Sequence, residues 1–259
     1  MKHILLISFS FLMMAIGCRK KEDPKLPENP PPPVRTTNLS FTFKNVADGE
    51  PLSLNDTWYK NENGDSLKIG AYKYYVTNFL LINEDSTYAV PESYYLINEA
   101  DPESQTFTIE NLPAGDYTEV RFMIGVDAER NTSGAQTGAL DPINGMFWDW
   151  KTGYIMALME GQSPQSGTAG MFSYHVSGFQ LGTGAQREVR LKLPKKATVA
   201  PHYYPHIIIR SDVLEWFKTP NTVSLALLNT VMNDPADVKI IADNYADMFT
   251  VEDVIIAVE

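Results

Sequence analysis

The chain has 259 residues, of which 44% are hydrophobic and 20% are charged, so it can form one sizeable core and is not disordered along its whole length. Its 21 Lys and Arg residues against 32 Asp and Glu give a formal net charge of -11, which excludes a basic phosphate-tracking surface. We therefore expect no nucleic-acid partner. The single Cys, at position 18, excludes a disulfide framework, a Cys-based zinc site and an iron–sulfur cluster.

The first 17 residues predict a signal peptide. Lys2 and His3 give a basic start, and residues 4–17 form a 14-residue run without a charge. As a helix this run spans about 21 Å, short of the roughly 30 Å hydrocarbon core of a bilayer, which favours a signal sequence over a membrane anchor. The run ends at Ala15-Ile16-Gly17-Cys18, which resembles a lipobox. We therefore expect removal of residues 1–17 and acylation of Cys18.

Residues 18–37 predict a tether between that lipid and a folded domain. Prolines recur between Pro24 and Pro33, and this density favours an extended polyproline II spacer. The charged residues directly behind Cys18 either form an ordinary tether or resemble the lysine-plus-acidic tag that directs some Gram-negative lipoproteins to the cell surface. The sequence therefore predicts an outer membrane lipoprotein that faces the periplasm or the cell surface and is held to the membrane by the lipid on Cys18.

Residues 38–259 predict one all-β domain. Apolar and polar residues alternate in short stretches, and turn sequences such as Asn63-Gly64 and Asn144-Gly145 interrupt them. The predicted half-buried strands contain, in chain order, residues 39–43, 72–76, 107–109, 120–124, 148–150 and 189–193. This pattern favours a single β-sandwich-like or open-barrel domain over alternating α/β units.

The C-terminal quarter adds short helices to this pattern. Residues 206–210 are predicted to form a buried strand, and Ser211 is predicted to begin a capped turn. Asp234 is a candidate N-cap followed by Pro235. Apolar residues at three- and four-residue spacings from there to Phe249 predict an amphipathic helix of about 14 residues.

The sequence lacks the common enzyme motifs. It has no G-x-S-x-G elbow, no P-loop and no H-E-x-x-H pair, so we expect a binding protein and not an enzyme. His202 and His206 lie among prolines and tyrosines, where they form either a metal-binding pair or part of a loop.

A second candidate metal site lies in the middle of the chain. Asp127, Glu129, Asn131 and Ser133 place oxygen donors at alternate positions, and Asp141 follows after two glycines. This spacing opens a calcium-binding loop. The alternative is a solvated turn whose polar side chains cap its own backbone.

The densest group of motifs resembles a known family. Residues 125–127 form a G-x-D loop, residues 146–154 read M-F-W-x-W-x-x-G-Y, and residues 175–178 read H-x-x-G. In this order they resemble the MbnP family of periplasmic copper-binding proteins. Residues 43–54, 74–79 and 242–249 also resemble its lipoprotein branch, so the likeness extends over nearly the whole mature domain.

In the copper-binding members, the resemblance implies a mononuclear site made by His nitrogens and a Trp oxidised to kynurenine. His175 stands at the His of H-x-x-G, and Trp148 and Trp150 stand on the aromatic strand. Asn45 stands where related lipoproteins often carry His, and Thr132 where methanotroph members tend to have one. An amide and a hydroxyl are weak donors for copper, so the resemblance implies an incomplete site.

Each of these residues also has a structural interpretation. Trp148 and Trp150 share one side of a strand and are suited to core packing, and His175 is suited to a buried position bonded to a backbone group. Three methionines near the aromatic strand are either soft ligands or core filling: Met146, Met156 and Met159.

A metal-free function is the alternative to copper binding. In that case the domain is a structural or interaction module that contacts a protein or glycan partner through exposed tyrosines. The candidate pairs are Tyr94-Tyr95 and Tyr203-Tyr204.

Overall fold

The computed structural model of the protein describes residues 37–134, 136–149, 152–180 and 184–258. The strands are β1 Leu39–Ala47, β2 Glu50–Pro51, β3 Tyr59–Lys60, β4 Ser66–Ile82, β5 Thr87–Ala89, β6 Tyr94–Asn98, β7 Thr106–Ile109, β8 Gly115–Ile124, β9 Phe147–Asp149, β10 Gly153–Gln162, β11 Met171–Ser177, β12 Arg187–Val199, β13 Tyr203–Asp212, β14 Thr230–Val231 and β15 Phe249–Val258. The α-helices are α1 Ala128–Thr132 and α2 Pro235–Tyr245. Short 3-10 helices cover Pro102–Gln105, Gly138–Leu140, Pro142–Asn144 and Val213–Phe217.

The strands form two sheets. The smaller has the order β15-β13-β1-β2, with β7 also paired to β1, and the larger has the order β12-β8-β4-β10-β11-β14. In the larger sheet β3, β5 and β6 pair with β4, and β9 pairs with β10. The sheets do not close into a barrel, and the predicted all-β, sandwich-like fold is confirmed.

Aromatic side chains fill the space between the sheets. The Phe43 ring on β1 lies 6.4 Å from that of Tyr74 on β4 and 5.6 Å from that of Phe122 on β8, centroid to centroid. Phe43, Tyr74 and Phe122 are all buried. These edge-to-face contacts join the two sheets because each ring projects from the inward positions of an alternating strand.

The C-terminal region differs in part from its prediction. Helix α2 begins after Asp234, whose side chain accepts hydrogen bonds from the backbone N–H groups of Ala236 and Asp237, as the N-cap prediction requires. The helix ends at Tyr245 after 11 residues, and Phe249 begins β15. The three- and four-residue spacing of apolar residues extends to Phe249, although Phe249 lies in a strand. The predicted helix length of about 14 residues was therefore wrong. Asp212, and not Ser211, caps the turn that follows β13.

Among the described residues, no helix combines the length and apolar character needed to cross a membrane.

Candidate functional site

His175 lies on the outer face of the larger sheet. β11 pairs with β10 so that His175 is opposite Leu158, and Leu158 is opposite Lys73 on β4. The adjacent set of paired residues is Val176 on β11, Ala157 on β10 and Tyr74 on β4, and Val176 and Tyr74 are buried in the core. Since successive side chains of a strand point to opposite faces, His175 points away from that core.

Trp148 covers His175. The two ring centroids are 5.4 Å apart, and the indole Nε1 donates a hydrogen bond to Ser177 Oγ at 2.9 Å. Trp148 is 44% exposed, so the core-packing interpretation of this residue was wrong. The physical reason is that the three-residue strand β9 pairs with β10, and the Trp148 indole lies against His175 on the outer face of β11 instead of between the sheets.

The two nitrogens of His175 have different surroundings. Nε2 lies 2.5 Å from Glu160 Oε1 and 3.2 Å from Ser173 Oγ. Nδ1 is buried and has no hydrogen-bond partner in the described part of the chain. The expected backbone partner of a buried His is therefore wrong: the ring is held by a carboxylate and a hydroxyl.

This arrangement selects one tautomer of His175. A carboxylate can only accept, so Nε2 carries the proton that it donates to Glu160, and in the neutral ring Nδ1 therefore presents its lone pair. A carboxylate on the far nitrogen of a metal-binding imidazole is the usual way in which proteins fix the ring and raise its basicity. A buried polar atom without a partner is rare in folded proteins and calls for an explanation.

A cavity of about 230 Å³ lies against Trp148, the residue whose ring contacts His175. Its lining consists of Trp148, Asp149, Thr152, Met232 and Asn233. The cavity is therefore bounded by one of the residues that the resemblance assigned and by a methionine that it did not.

Asn45 does not join His175. Its Oδ1 accepts a hydrogen bond from the Tyr74 hydroxyl at 2.9 Å, and its Nδ2 donates to Glu99 Oε2 at 2.8 Å. Tyr74 is on the core side of the sheet and His175 on the outer side, so the implied ligand pair is separated by the sheet itself. Trp150 and Cys18 lie outside the described residues.

The hydrogen bonds around Asn45 enclose a carboxyl group that is partly withdrawn from water. Burial raises the pKa of Glu99, although the amides of Asn45 and Gln105 partly offset that rise by donating to it. The folded protein therefore binds a proton at Glu99 more tightly than the unfolded chain, and ionisation of Glu99 lowers stability as the pH rises above about 4.3.

We expect Glu99→Gln to stabilise the fold at pH 7 and to have little effect at pH 4, because the amide keeps an oxygen for both donors and carries no charge. Urea unfolding at the two pH values measures this difference. Glu103→Gln, on the exposed turn nearby, is the matched control and should change neither midpoint. A Glu99→Gln protein that is less stable than wild type at pH 7 contradicts the prediction.

The predicted calcium ligands are engaged in other contacts. Asp127 caps α1 through Arg130 N–H, and its other oxygen accepts from Tyr94 and Asn78. Burial opposes ionisation of Asp127, but these hydrogen bonds hold its pKa below the usual range. Asn131 is buried, with Oδ1 accepting from Tyr154 N–H and Nδ2 donating to the backbone oxygens at positions 126 and 127.

Glu129 and Asp141 are the other two predicted calcium ligands. Glu129 is exposed on the first turn of α1, and Asp141 caps the 3-10 helix Pro142–Asn144 through Ile143 N–H. Asp127, Asn131 and Asp141 bond to backbone groups, as the turn alternative states. No group of three or more His, Cys, Asp or Glu side chains is placed to hold a metal ion in the part of the chain that the structure describes.

The other candidate metal ligands do not converge on His175. Met146, Met156 and Met159 are buried in the core, and Met156 Sδ accepts from Val126 N–H at 3.1 Å. His206 Nε2 pairs with Thr42 Oγ1 at 2.8 Å on the smaller sheet. Burial and the Lys44 ammonium lower the pKa of His206.

Two residues were not predicted from sequence: Glu160, which contacts His175, and Met232, which lines the cavity against Trp148. They lie 15 residues before and 57 residues after His175 in the chain. The alternation of β10 could have placed Glu160 on the outer face, but the register that brings it to His175 requires the paired strands. Met232 follows a two-residue strand that has no clear sequence signal.

Taken together, the fold and the site define a β-sandwich protein with a carboxylate-backed histidine and a tryptophan on the outer face of its larger sheet. The MbnP family model matches residues 36–234, and the chain belongs to the MbnP family. The fold is also similar to that of MbnP from Methylosinus trichosporium, with a TM-score of 0.51 and 14% sequence identity over 78% of this chain and 82% of that one. At this identity the likeness supports the fold. No curated protein matches the chain.

Proposed function

We propose that this protein binds copper at His175 and acts as a copper-binding or copper-handling protein and not as an enzyme. The observation that carries the proposal is the buried Nδ1 of His175, which has no partner in the described chain while Nε2 is held by Glu160. An imidazole nitrogen suits copper, and family membership supports this choice of metal.

The neighbouring groups have distinct roles in this proposal. Glu160 is a positioning residue, because its carboxylate keeps the proton on Nε2 and leaves the Nδ1 lone pair for the metal. Trp148 shields that nitrogen from water, and it is held over the ring by one hydrogen bond to Ser177. The indole itself is half-exposed.

We expect wild-type protein to bind one copper per chain and His175→Ala to bind it more than about 100-fold more weakly, because the mutation removes the nitrogen ligand. Glu160→Gln should weaken binding about 10- to 100-fold, the usual effect of losing a carboxylate behind a ligand. Competition titration with a chromophoric copper chelator under anaerobic conditions measures both affinities. His206→Ala removes a half-buried strand histidine from the other sheet and should leave the affinity unchanged.

Copper binding at background level, or equal affinities of wild type and His175→Ala, would overturn this proposal. The metal-free interaction module would then be the better account. Its supporting observation is that Tyr203 and Tyr204 are 39% and 40% exposed near Ile255 and Val258, which are also exposed. Tyr94 and Tyr95 are less suited to that role, since Tyr94 donates to Asp127 and Tyr95 stacks on Phe107.

We also propose that the mature protein is lipid-anchored at Cys18 and located at the outer membrane, facing the periplasm or the cell surface. The support is the lipobox-like end of the apolar run and the proline-rich residues 18–37. Intact-mass analysis of protein extracted from membranes should give a chain that starts at Cys18 and carries acyl groups. Cys18→Ser should remain soluble or unprocessed, and a mature wild-type chain without a lipid mass contradicts the proposal.

A further inference from the structure

A groove of about 440 Å³ lies beside β7, the short strand that pairs with β1 at one edge of the smaller sheet. This volume is within the roughly 300–1,000 Å³ of small-molecule sites. The lining includes the aromatic rings of Tyr88 and Tyr95 and the polar side chains of Thr108, Glu110 and Asn111. The other lining residues are aliphatic. Apolar walls with a few polar groups are the usual composition of a ligand site.

The fold holds both aromatic rings of the groove in place. Tyr95 stacks on Phe107, with ring centroids 3.5 Å apart and an interplanar angle of 10°. Phe107 is itself held by Phe79 in the core, at 5.7 Å between centroids. Tyr88 lies opposite Leu81 on β4 and packs against the same core. A ligand that stacks on these rings therefore does not have to order them first.

The polar groups of the groove are available to a ligand. Within the part of the chain that the structure describes, no hydrogen bond engages the side-chain polar groups of Tyr88, Tyr95, Glu110 or Asn111. Glu110 and Asn111 are exposed. Phenol, amide and carboxylate groups together can both donate and accept hydrogen bonds, as a ligand rich in hydroxyl groups requires.

A second cavity, of about 480 Å³, follows the groove along β7. Thr106 and Phe107 line this cavity, Thr108 and Ile109 line the groove, and Tyr95 lines both. Two cavities at successive positions of one strand, with a shared aromatic residue, suit a ligand made of successive units.

The charges along the two cavities do not favour an anionic ligand. Glu110 is the one charged residue that lines the groove, and Asp101, Glu103 and Lys73 line the second cavity. The Lys73 ammonium donates a hydrogen bond to the carbonyl oxygen of Asn144 at 3.2 Å. Three carboxylates against one such ammonium would repel phosphate, sulfate or uronate groups.

We propose that the groove binds one sugar unit of a neutral oligosaccharide. A pyranose has C–H groups on its faces and hydroxyl groups around its rim, so an aromatic ring beside polar side chains matches both. Tyr88 stacks on the pyranose, and Glu110 and Asn111 bond to its hydroxyl groups. The adjoining sugar lies past Tyr95 in the second cavity. His175 lines neither cavity, so this site is independent of the proposed copper site.

Isothermal titration calorimetry of the full chain tests the ligand class. The probes are five neutral hexaoses: maltohexaose, cellohexaose, laminarihexaose, mannohexaose and chitohexaose. At least one should bind with a dissociation constant below about 1 mM. Hexagalacturonate, which is anionic, and hexaglucosamine, which is cationic, should both bind more weakly than that hexaose.

Three variants test the position of the site. Tyr88→Leu keeps an apolar side chain against Leu81 but removes the ring, and it should bind the best hexaose at least about tenfold more weakly. Glu110→Ala removes an exposed side chain that makes no ion pair with the described residues, so it should fold normally and bind about fivefold or more weakly. Tyr203→Ala removes a tyrosine that is 39% exposed and lines neither cavity, and it should match wild type.

Thermal unfolding shows whether Tyr88→Leu is folded, and Glu110→Ala carries the test if it is not. Binding by none of the five neutral hexaoses overturns the proposal. Tighter binding of hexagalacturonate or hexaglucosamine than of every neutral hexaose overturns the ligand class. Wild-type affinity in both Tyr88→Leu and Glu110→Ala, or a loss in Tyr203→Ala instead, overturns the position of the site.

Discussion

Replacing Trp216 with Ala should lower the free energy of unfolding by about 3–5 kcal/mol, the usual cost of truncating a large buried aromatic. Trp216 is fully buried, with its ring centroid 5.7 Å from that of Tyr72 and 5.3 Å from that of Tyr245. Its indole N–H donates to Met248 Sδ at 3.3 Å. The side chain therefore joins β4, helix α2 and the start of β15, and its loss leaves a cavity where these elements meet.

Chemical denaturation measures this loss, and Trp58→Ala is the matched control. Trp58 is 49% exposed, and the Lys68 ammonium lies 5.3 Å from its ring centroid. An exposed cation–π contact is worth about 0.5–1 kcal/mol, so Trp58→Ala should cost no more than that. Equal losses of unfolding free energy for Trp216→Ala and Trp58→Ala would contradict the burial of Trp216 in the core.

The second large effect is expected at Gly161. A Cβ at this position would lie 2.2 Å from the Lys68 backbone oxygen and 2.7 Å from a ring carbon of Phe172. The first of these atoms belongs to the paired strand β4, which cannot move away without breaking hydrogen bonds to β10. We therefore expect Gly161→Ala to cost about 3 kcal/mol or more, at the upper end for overpacking in a core.

Gly167→Ala provides the control for Gly161→Ala. Apart from its two chain neighbours, no atom of the described residues would lie within 4 Å of a Cβ at Gly167, and the φ of Gly167 is not positive. The added methyl group should therefore change stability by less than about 0.5 kcal/mol. Thermal unfolding of both variants tests the difference, and a Gly161→Ala protein as stable as Gly167→Ala would contradict the close packing of β4, β10 and β11.

Much of the β architecture could be predicted because it depends on local alternation. Phe41 and Phe43 on β1, and Val120 and Phe122 on β8, point inward as their period of two indicates. The pairing of strands could not be predicted, since β1 runs parallel to β13, more than 150 residues later in the chain. Such a contact depends on the complementary faces of distant strands and leaves no local signal.

The site could be predicted only in part for the same reason. His175 and Trp148 were found through sequence motifs, and the structure brings their rings together. Asn45 was assigned through the same resemblance, but the Tyr74 hydroxyl and the Glu99 carboxylate bind its amide on the other side of the sheet. Glu160 reaches His175, and Met232 reaches the cavity against Trp148, only through the pairing of strands that are distant in the chain, which a linear motif does not contain.

Long-range ¹H–¹⁵N NMR of the histidine rings tests the central claim most directly, because Cu(I) is diamagnetic and both ring nitrogens can be observed. Before copper is added, we expect the neutral His175 ring to be the tautomer with its proton on Nε2 beside Glu160 and a bare Nδ1. One equivalent of Cu(I) should shift the Nδ1 resonance strongly and leave the proton on Nε2. A proton on Nδ1 in the free protein, or His175 resonances unchanged by Cu(I), would contradict the account.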